Sequence, residues 1–147
     1  IDMGYPTHEE EREILHRLQR EHPIESLDPV VQPLDIQALK PQVWDVTVDK
    51  TVVDYIIRMV KATRDHHDIL LGGSPRATLS LYKTSQAYAA IHGRDHVLPD
   101  DVKVLAVPVL SHRLMLKPEA ELRGSTSVDL INRIREDTPL KLKDEED

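Results

Sequence analysis

The 147-residue chain has no cysteine and no phenylalanine, and aromatic residues make up only 3% of it. Without thiols there is no disulfide framework, thiolate zinc site, iron–sulfur cluster or cysteine nucleophile. So few rings also argue against stacking platforms for single-stranded bases. Positive charge is in deficit: 19 Lys and Arg stand against 26 Asp and Glu, a formal net charge of -7. That is the wrong sign for a surface built around a phosphate backbone, so no nucleic-acid partner is expected. No apolar run nears the ~18 residues of a membrane span. The start, Ile1-Asp2-Met3-Gly4-Tyr5-Pro6, lacks the basic and apolar regions of a signal peptide. A cytoplasmic chain without membrane contact is the expectation. The length fits one domain at about 150 residues per domain, enough to bury about 68–70% of the unfolded surface without a covalent or metal staple.

What is present is mostly helical in period. Residues 8–21 carry Ile14, Leu15 and Leu18 on one side, with Thr7 as N-cap and Glu9, Glu10 and Glu11 in the first turn. Pro23, Pro29 and Pro33 then impose an extended loop. Leu34, Ile36, Leu39, Val43 and Trp44 have helical spacing around Pro41, which must kink that helix or start its second part. Asp49 caps the clearest amphipathic helix, with Val52, Val53, Ile56, Ile57 and Val60 on its apolar face. Another helix starts at Ser74-Pro75 and ends at Gly93. Between Ala77 and Ile91 its only charged side chain is Lys83, which predicts a helix surrounded on most sides.

Pro99-Asp100-Asp101 opens the next helix, with Val102, Leu105, Val109 and Leu110 apolar and Pro108 as a kink. Val46-Thr47-Val48 and the alternating Leu114-Met115-Leu116 predict two short strands that pair with each other. A last helix, capped by Ser127 with Val128, Ile131 and Ile134 as its stripe, ends by Thr138-Pro139. The result is an all-α bundle with a very small two-stranded β element, followed over residues 139–147 by a highly charged tail expected to be disordered or solvated.

Catalytic motifs are missing. There is no Gly-x-Ser-x-Gly elbow, His-Glu-x-x-His, dinucleotide fingerprint or phosphate loop. Asp100-Asp101 and the Glu9 to Glu11 run read as partners of helix dipoles. Eight histidines raise a metal hypothesis at His66-His67-Asp68 and at His92 with His96. Adjacent residues diverge on a helix and Gly93 interrupts the second pair, so solvated loop histidines are favoured and no metal is expected.

Gly72-Gly73-Ser74-Pro75-Arg76-Ala77 differs. Two glycines let the backbone turn sharply or approach another group closely, Ser74 can cap, Pro75 suits the first helical position, and Arg76 falls in the first turn, where a cation opposes the helix dipole. Two readings of Arg76 stand: an anion held jointly by the helix N-terminus and the guanidinium, or a surface pair with Asp65 or Asp68. Arg64, Arg94 and Arg113 have weaker claims, as ordinary surface cations.

From Met3 to about Ile134 the chain resembles the C-terminal lid of MoxR-type AAA+ ATPases, relatives of the magnesium-chelatase ATPase subunits. The resemblance rests on Gly4-Tyr5-Pro6 ahead of the Glu-rich helix, His22-Pro23, Asp54-Tyr55-Ile56 with Ala62-Thr63-Arg64, and Gly72-Gly73-Ser74-Pro75-Arg76-Ala77. It continues in Gly93-Arg94-Asp95 with Pro99-Asp100-Asp101-Val102-Lys103, and in His112-Arg113-Leu114 with Pro118-Glu119-Ala120.

The resemblance implies that residues 1–6 are a hinge from an α/β nucleotide-binding domain and that residues 7–138 are the lid. The start at Ile1 fits a piece cut from a longer protein. Arg76 matches the sensor-2 arginine that reaches the γ-phosphate, with Ser74 and Pro75 beside it. Gly4, Tyr5 and Pro6 match the hinge segment near adenine. Gly73 stands where alanine is expected, which predicts added flexibility, and Leu98 stands where threonine or serine usually caps.

The intact protein is then expected to bind ATP and Mg and to form a hexameric ring. It would act as a chaperone-like remodelling factor with a von Willebrand factor A domain partner, sometimes in metalloenzyme maturation. The chain alone should neither hydrolyse ATP nor hold nucleotide stably, and should be monomeric. The rivals are a stand-alone helical interaction or regulatory module and a DNA-binding helical domain, the latter opposed by the acidic balance.

Overall fold

A computed structural model describes residues 4–18, 24 and 27–140. The chain divides into two units, residues 1–37 and 38–147. In the first, α1 (His8–Arg17) begins at Thr7 with a full capping box. The Thr7 hydroxyl accepts from the Glu10 N–H, and the Glu10 carboxylate accepts from the Thr7 N–H at 2.7 Å. The Thr7 hydroxyl also donates to the Glu10 carboxylate at 2.8 Å, and the bonds from the Thr7 N–H and then this hydroxyl hold the Glu10 carboxyl below its ordinary range. The helix ends four residues short of the expected span, and residues 19–21 lie outside those described. None of its residues is buried; Ile14, Leu15 and Leu18 are all exposed. Helix α2 (Pro33–Trp44) crosses the boundary between the units and runs on through Pro41.

The second unit is built on α3 (Lys50–Asp65), α4 (Pro75–Ile91), α5 (Pro99–Leu110) and α7 (Ser127–Asp137). α4 packs on α3 and α5, and α7 packs on α3 and α5. Between them lie Tyr55, Ile56, Met59, Val60, Leu81, Val102, Leu110, Leu130 and Ile131, all essentially inaccessible. The buried face of α3 is Val52, Tyr55, Ile56, Met59, Val60 and Thr63, rotated from the expected one, and Ile57 is exposed. Apolar side chains alone misplace that face because Tyr55 and Thr63 are buried on it.

α4 buries Ala77, Leu81, Ser85, Gln86 and Ala89, with Tyr82 and Ala90 partly buried against the same core, while Leu79 and Ile91 are exposed. Two further expectations are corrected. The cap of α7 is Thr126, one residue earlier than Ser127, because Thr126 and Asp129 form the reciprocal capping box. Its buried stripe is Leu130, Ile131 and Ile134, with Val128 exposed. The short α6 (Pro118–Leu122) had no periodic signal.

The two-stranded element exists with a different partner. β1 (Ile69–Leu71) pairs antiparallel with β2 (Met115–Leu116), with Ile69 opposite Leu116 and Leu71 opposite Met115 across an irregular register. Alternation marks an extended segment but not its neighbour. The pairing is anchored at Asp68, whose carbonyl accepts from the Lys117 N–H at 2.9 Å and whose carboxylate takes the Arg123 guanidinium.

The Val46 to Val48 segment is extended, but its contact is one parallel bridge from Thr47 to His96. Thr47 N–H donates to the Asp95 carbonyl at 2.8 Å, Val97 N–H donates to the Thr47 carbonyl at 3.0 Å, and the buried Gln86 amide donates to the Val46 carbonyl at 2.8 Å. That accounting draws Val46 and Val97 into the core. The expected tail lies, from residue 141 onward, outside the described residues.

Candidate functional site

α4 starts where the sequence places it, with Pro75 in its first turn and Ser74 as N-cap. The Ser74 side chain makes no capping hydrogen bond. Instead the Ser74 carbonyl accepts from the N–H of Ala77 at 2.8 Å. Arg76 is exposed in this first turn. Among the described residues its side chain takes part in no hydrogen bond or ion pair. The alternative partners are not engaged with it: Asp68 holds Arg123 and lies 3.1 Å from His67 Nε2. An uncompensated guanidinium at the positive end of a 17-residue helix is a built-in preference for an anion.

The approach to this turn is tightly built. Thr63, fully buried near the end of α3, donates its hydroxyl to the Val60 carbonyl at 2.6 Å and accepts from the Gly73 N–H at 2.8 Å. Arg64 Nε donates to the Gly73 carbonyl at 2.6 Å. Gly72 lies so close to α3 that a Cβ there would sit 2.6 Å from Arg64 Cα and 2.7 Å from the Thr63 carbonyl oxygen. Gly73 therefore does not add flexibility before Arg76, because both of its backbone polar groups are held. Sequence reasoning missed Thr63 and Arg64 as parts of the site. The available signal was Ala62-Thr63-Arg64 placed shortly before a glycine pair, since a polar side chain in a helix's last turn can serve an incoming loop.

The other arginines are engaged structurally. Arg94 forms a bidentate pair with Asp101 at 2.6 and 2.7 Å, and Asp101 also accepts from the Leu98 N–H at 2.8 Å. Leu98 thus receives the carboxylate half of a capping box that its own side chain cannot reciprocate. Burial pushes the Asp101 carboxyl up, but the hydrogen bonds from Arg94 and the Leu98 N–H outweigh it and leave it below the ordinary range. Arg113 Nε donates to the Val109 carbonyl at 2.9 Å.

Gly4, Tyr5 and Pro6 belong to the first unit and line a cavity of about 410 Å³ with Glu10, Glu13, Ile14 and Arg17. Gly4 has φ +62°, a turn that favours glycine. Tyr5 is fully exposed, and Glu13 is paired with Arg17.

His66, His67 and Asp68 do come together, since His66 is the C-cap of α3 and helical divergence no longer applies beyond it. Their ligand atoms lie within 4.8 Å of one another, and the two rings stack at 4.7 Å. Burial first, then the neighbouring His67, lowers the His66 pKa. His66 Nδ1 accepts from the Asp68 N–H at 3.1 Å, and the Arg123 charge on Asp68 opposes a cation there. His92 Nδ1 and His96 Nδ1 are turned to the Tyr88 carbonyl and to Asp95 respectively, each at 2.8 Å.

The AAA lid domain family matches residues 61–134, half of the chain. The chain is 42% identical over 134 residues to the uncharacterized protein YeaC of Bacillus subtilis, covering 91% of this chain and 42% of that protein. It is 33% identical over 143 residues to the chaperone MoxR1 of Mycobacterium tuberculosis, covering 91% of this chain and 37% of that one. It thus spans less than half the length of either. A crystal structure of a candidate ATPase from Cytophaga hutchinsonii superposes with a TM-score of 0.85 at 28% identity, over 97% of this chain and 46% of that one. The matched segment opens in the last turns of α3 and takes in the Gly73 contacts, the Arg76 turn and the bundle down to Ile134: the chain belongs to the AAA lid domain family and is similar to the MoxR proteins over this region.

Proposed function

We propose that Arg76 is the sensor-2 arginine of this lid, contacting the γ-phosphate of ATP and coupling nucleotide state to lid position. The observation that carries the reading is the exposed guanidinium in the first turn of α4, without a partner among the described residues. A guanidinium offers phosphate two parallel donors and stabilises charge that develops as the phosphoryl group departs. Ser74 and Pro75 set the helix start beneath it. Gly4, Tyr5 and Pro6 would lie beside the adenine, at the open cavity that they line with Ile14 and the charged Glu10, Glu13 and Arg17. The turn from Gly72 to Ala77 contains no carboxylate, so magnesium would be held by residues of the nucleotide-binding domain.

In this reading residues 1–6 are the hinge to that domain and residues 7–138 form the lid. The intact protein is a cytoplasmic ATPase in a hexameric ring of identical subunits that remodels a client, with a von Willebrand factor A domain partner. The name of the MoxR1 relative, a chaperone, supports the remodelling role.

The experiment is ATP turnover and nucleotide affinity of the intact protein carrying Arg76→Ala. The expected result is a loss in turnover of at least about 10²-fold, the scale for removing one transition-state donor, with much of the ATP affinity retained. Unchanged turnover would refute the sensor role and favour a helical interaction module.

A further inference from the structure

We infer that Thr63 and Arg64 are positioning residues for Arg76: consecutive residues at the end of α3 clasp both backbone polar groups of Gly73, and thereby fix where α4 begins. The inference rests on the reading of Arg76 as a phosphate contact. The Gly73 N–H donates to Thr63 Oγ1 at 2.8 Å, and the Gly73 carbonyl accepts from Arg64 Nε at 2.6 Å. The Thr63 hydroxyl is itself oriented, because its proton is spent on the Val60 carbonyl at 2.6 Å. Its lone pair is therefore aimed at the loop.

Gly72 brings the loop within reach. With no Cβ it lies against the backbone of Thr63 and Arg64, where any side chain would meet backbone atoms at 2.6–2.7 Å. Only Ser74 and Pro75 separate Gly73 from Arg76. Pro75 fixes one of the intervening dihedrals, and Ser74 is extended at φ -72° and ψ 170°. Little backbone freedom remains between the clasp and the Arg76 Cα, from which the side chain starts. The core does not need the clasp to dock α4 on α3, since Ala77 and Leu81 are fully buried already. Arg64, exposed and in no ion pair among the described residues, commits its Nε to this one carbonyl. A misplacement of about 1 Å at a reacting centre costs up to about 10²-fold in rate, so loosening the clasp should be visible in turnover.

The test is a double-mutant cycle in the intact ATPase. Thr63→Val keeps the shape of the side chain and removes the acceptor. We expect it to lower kcat about tenfold with little change in KM for ATP, and Thr63→Ser, which keeps the hydroxyl, to restore the rate. In an Arg76→Ala background the same Thr63→Val change should alter kcat less than about twofold, because the residue acts through Arg76. Arg64→Ala, at an exposed position, runs the same cycle without burying an unpaired group, and answers the case in which Thr63→Val folds poorly. If Arg76→Ala collapses turnover while Thr63→Val and Arg64→Ala leave it intact, or lower it equally in both backgrounds, the clasp is overturned and the Arg76 reading stands. If Arg76→Ala leaves turnover unchanged, the Arg76 reading falls and the clasp's role with it.

Discussion

Replacing Gly72 by alanine tests the close approach between α3 and the loop before α4 in the isolated chain, with no nucleotide involved. The added Cβ would lie 2.6 Å from Arg64 Cα and 2.7 Å from both the Arg64 nitrogen and the Thr63 carbonyl oxygen. Ordinary contacts between carbons are about 3.5–4.0 Å, and all three obstacles are backbone atoms of a helix. The loop must therefore retreat by about 1 Å, which carries the Gly73 bonds of 2.8 and 2.6 Å to Thr63 and Arg64 past useful length. The buried Gly73 N–H left without an acceptor costs about 1–3 kcal/mol, and the Arg64 bond, partly replaced by water, about 1 kcal/mol. Against this, alanine lowers the entropy of the unfolded chain by the equivalent of about 0.4–1 kcal/mol. The net expectation is a loss of about 2–3 kcal/mol, or about 4–12 °C in Tm at ~2–4 °C per kcal/mol for a chain of this size. Urea denaturation followed by circular dichroism measures it. Gly73→Ala is the comparison: its Cβ would meet a Val60 methyl at 3.0 Å, the Ala77 Cβ at 3.3 Å and Thr63 Oγ1 at 3.4 Å, side-chain atoms at longer range than the backbone atoms facing Gly72, so it should cost less than Gly72→Ala. A Gly72→Ala chain within 0.5 kcal/mol of its parent, taking ~0.5 as ordinary surface scatter, would refute the close approach.

Arg94→Ala should destabilise the chain by about 2 kcal/mol at pH 7, below the ~3–5 kcal/mol of a fully buried pair because Arg94 is 24% exposed. Since the Asp101 carboxyl lies below its ordinary value of 3.8 in the folded chain, its contribution is complete above that pH and is lost as pH falls through the folded value. Denaturation curves from pH 7 to pH 2 should show the gap between parent and variant closing on the acid side, and a pH-independent gap would contradict the pairing. Tyr55→Phe should stabilise by about 1 kcal/mol, because the Tyr55 hydroxyl is buried without a hydrogen-bond partner among the described residues; a loss measured by the same denaturation would mean that the hydroxyl is satisfied. Arg76→Ala in the isolated chain should leave stability unchanged or raise it by about 0.3–1 kcal/mol, since a first-turn cation opposes the dipole. A drop above 1 kcal/mol, about the largest helix-dipole effect at the surface, would show that Arg76 holds the fold.

The helices were legible wherever chemistry at their ends agrees with their period. Thr7 with Glu10, Asp49, Pro75 and Pro99 each marks a start that the structure keeps. Legibility failed where a partner distant in sequence decides. The β2 segment alternates as expected, but its partner is β1, chosen by the Asp68 contacts to Lys117 and Arg123. The apolar face of α3 was misplaced by about one position because burial recruits Tyr55 and Thr63, residues that a purely apolar pattern passes over. Leu79 and Ile91 on α4 look like core residues in one dimension and are exposed in three.

The same distinction separates Arg76 from its supports. Arg76 is legible because it breaks a local rule, a cation at the positive end of a helix, and a broken local rule needs no knowledge of the fold to be noticed. Thr63, Arg64 and Gly72 break no local rule. A threonine and an arginine in the last turn of a helix, and a glycine in a loop, are each ordinary alone. Their function exists only once Gly72 has brought the loop against α3 and the Gly73 peptide has found both side chains. The glycine pair reads in sequence as permission for a sharp turn or a close approach, and the fold uses the close approach at Gly72, while the flexibility expected of Gly73 is taken up by its two hydrogen bonds. The missing Cβ at Gly72 lets the loop come close enough to be tied, and the tie at Gly73 holds the turn from which Arg76 projects.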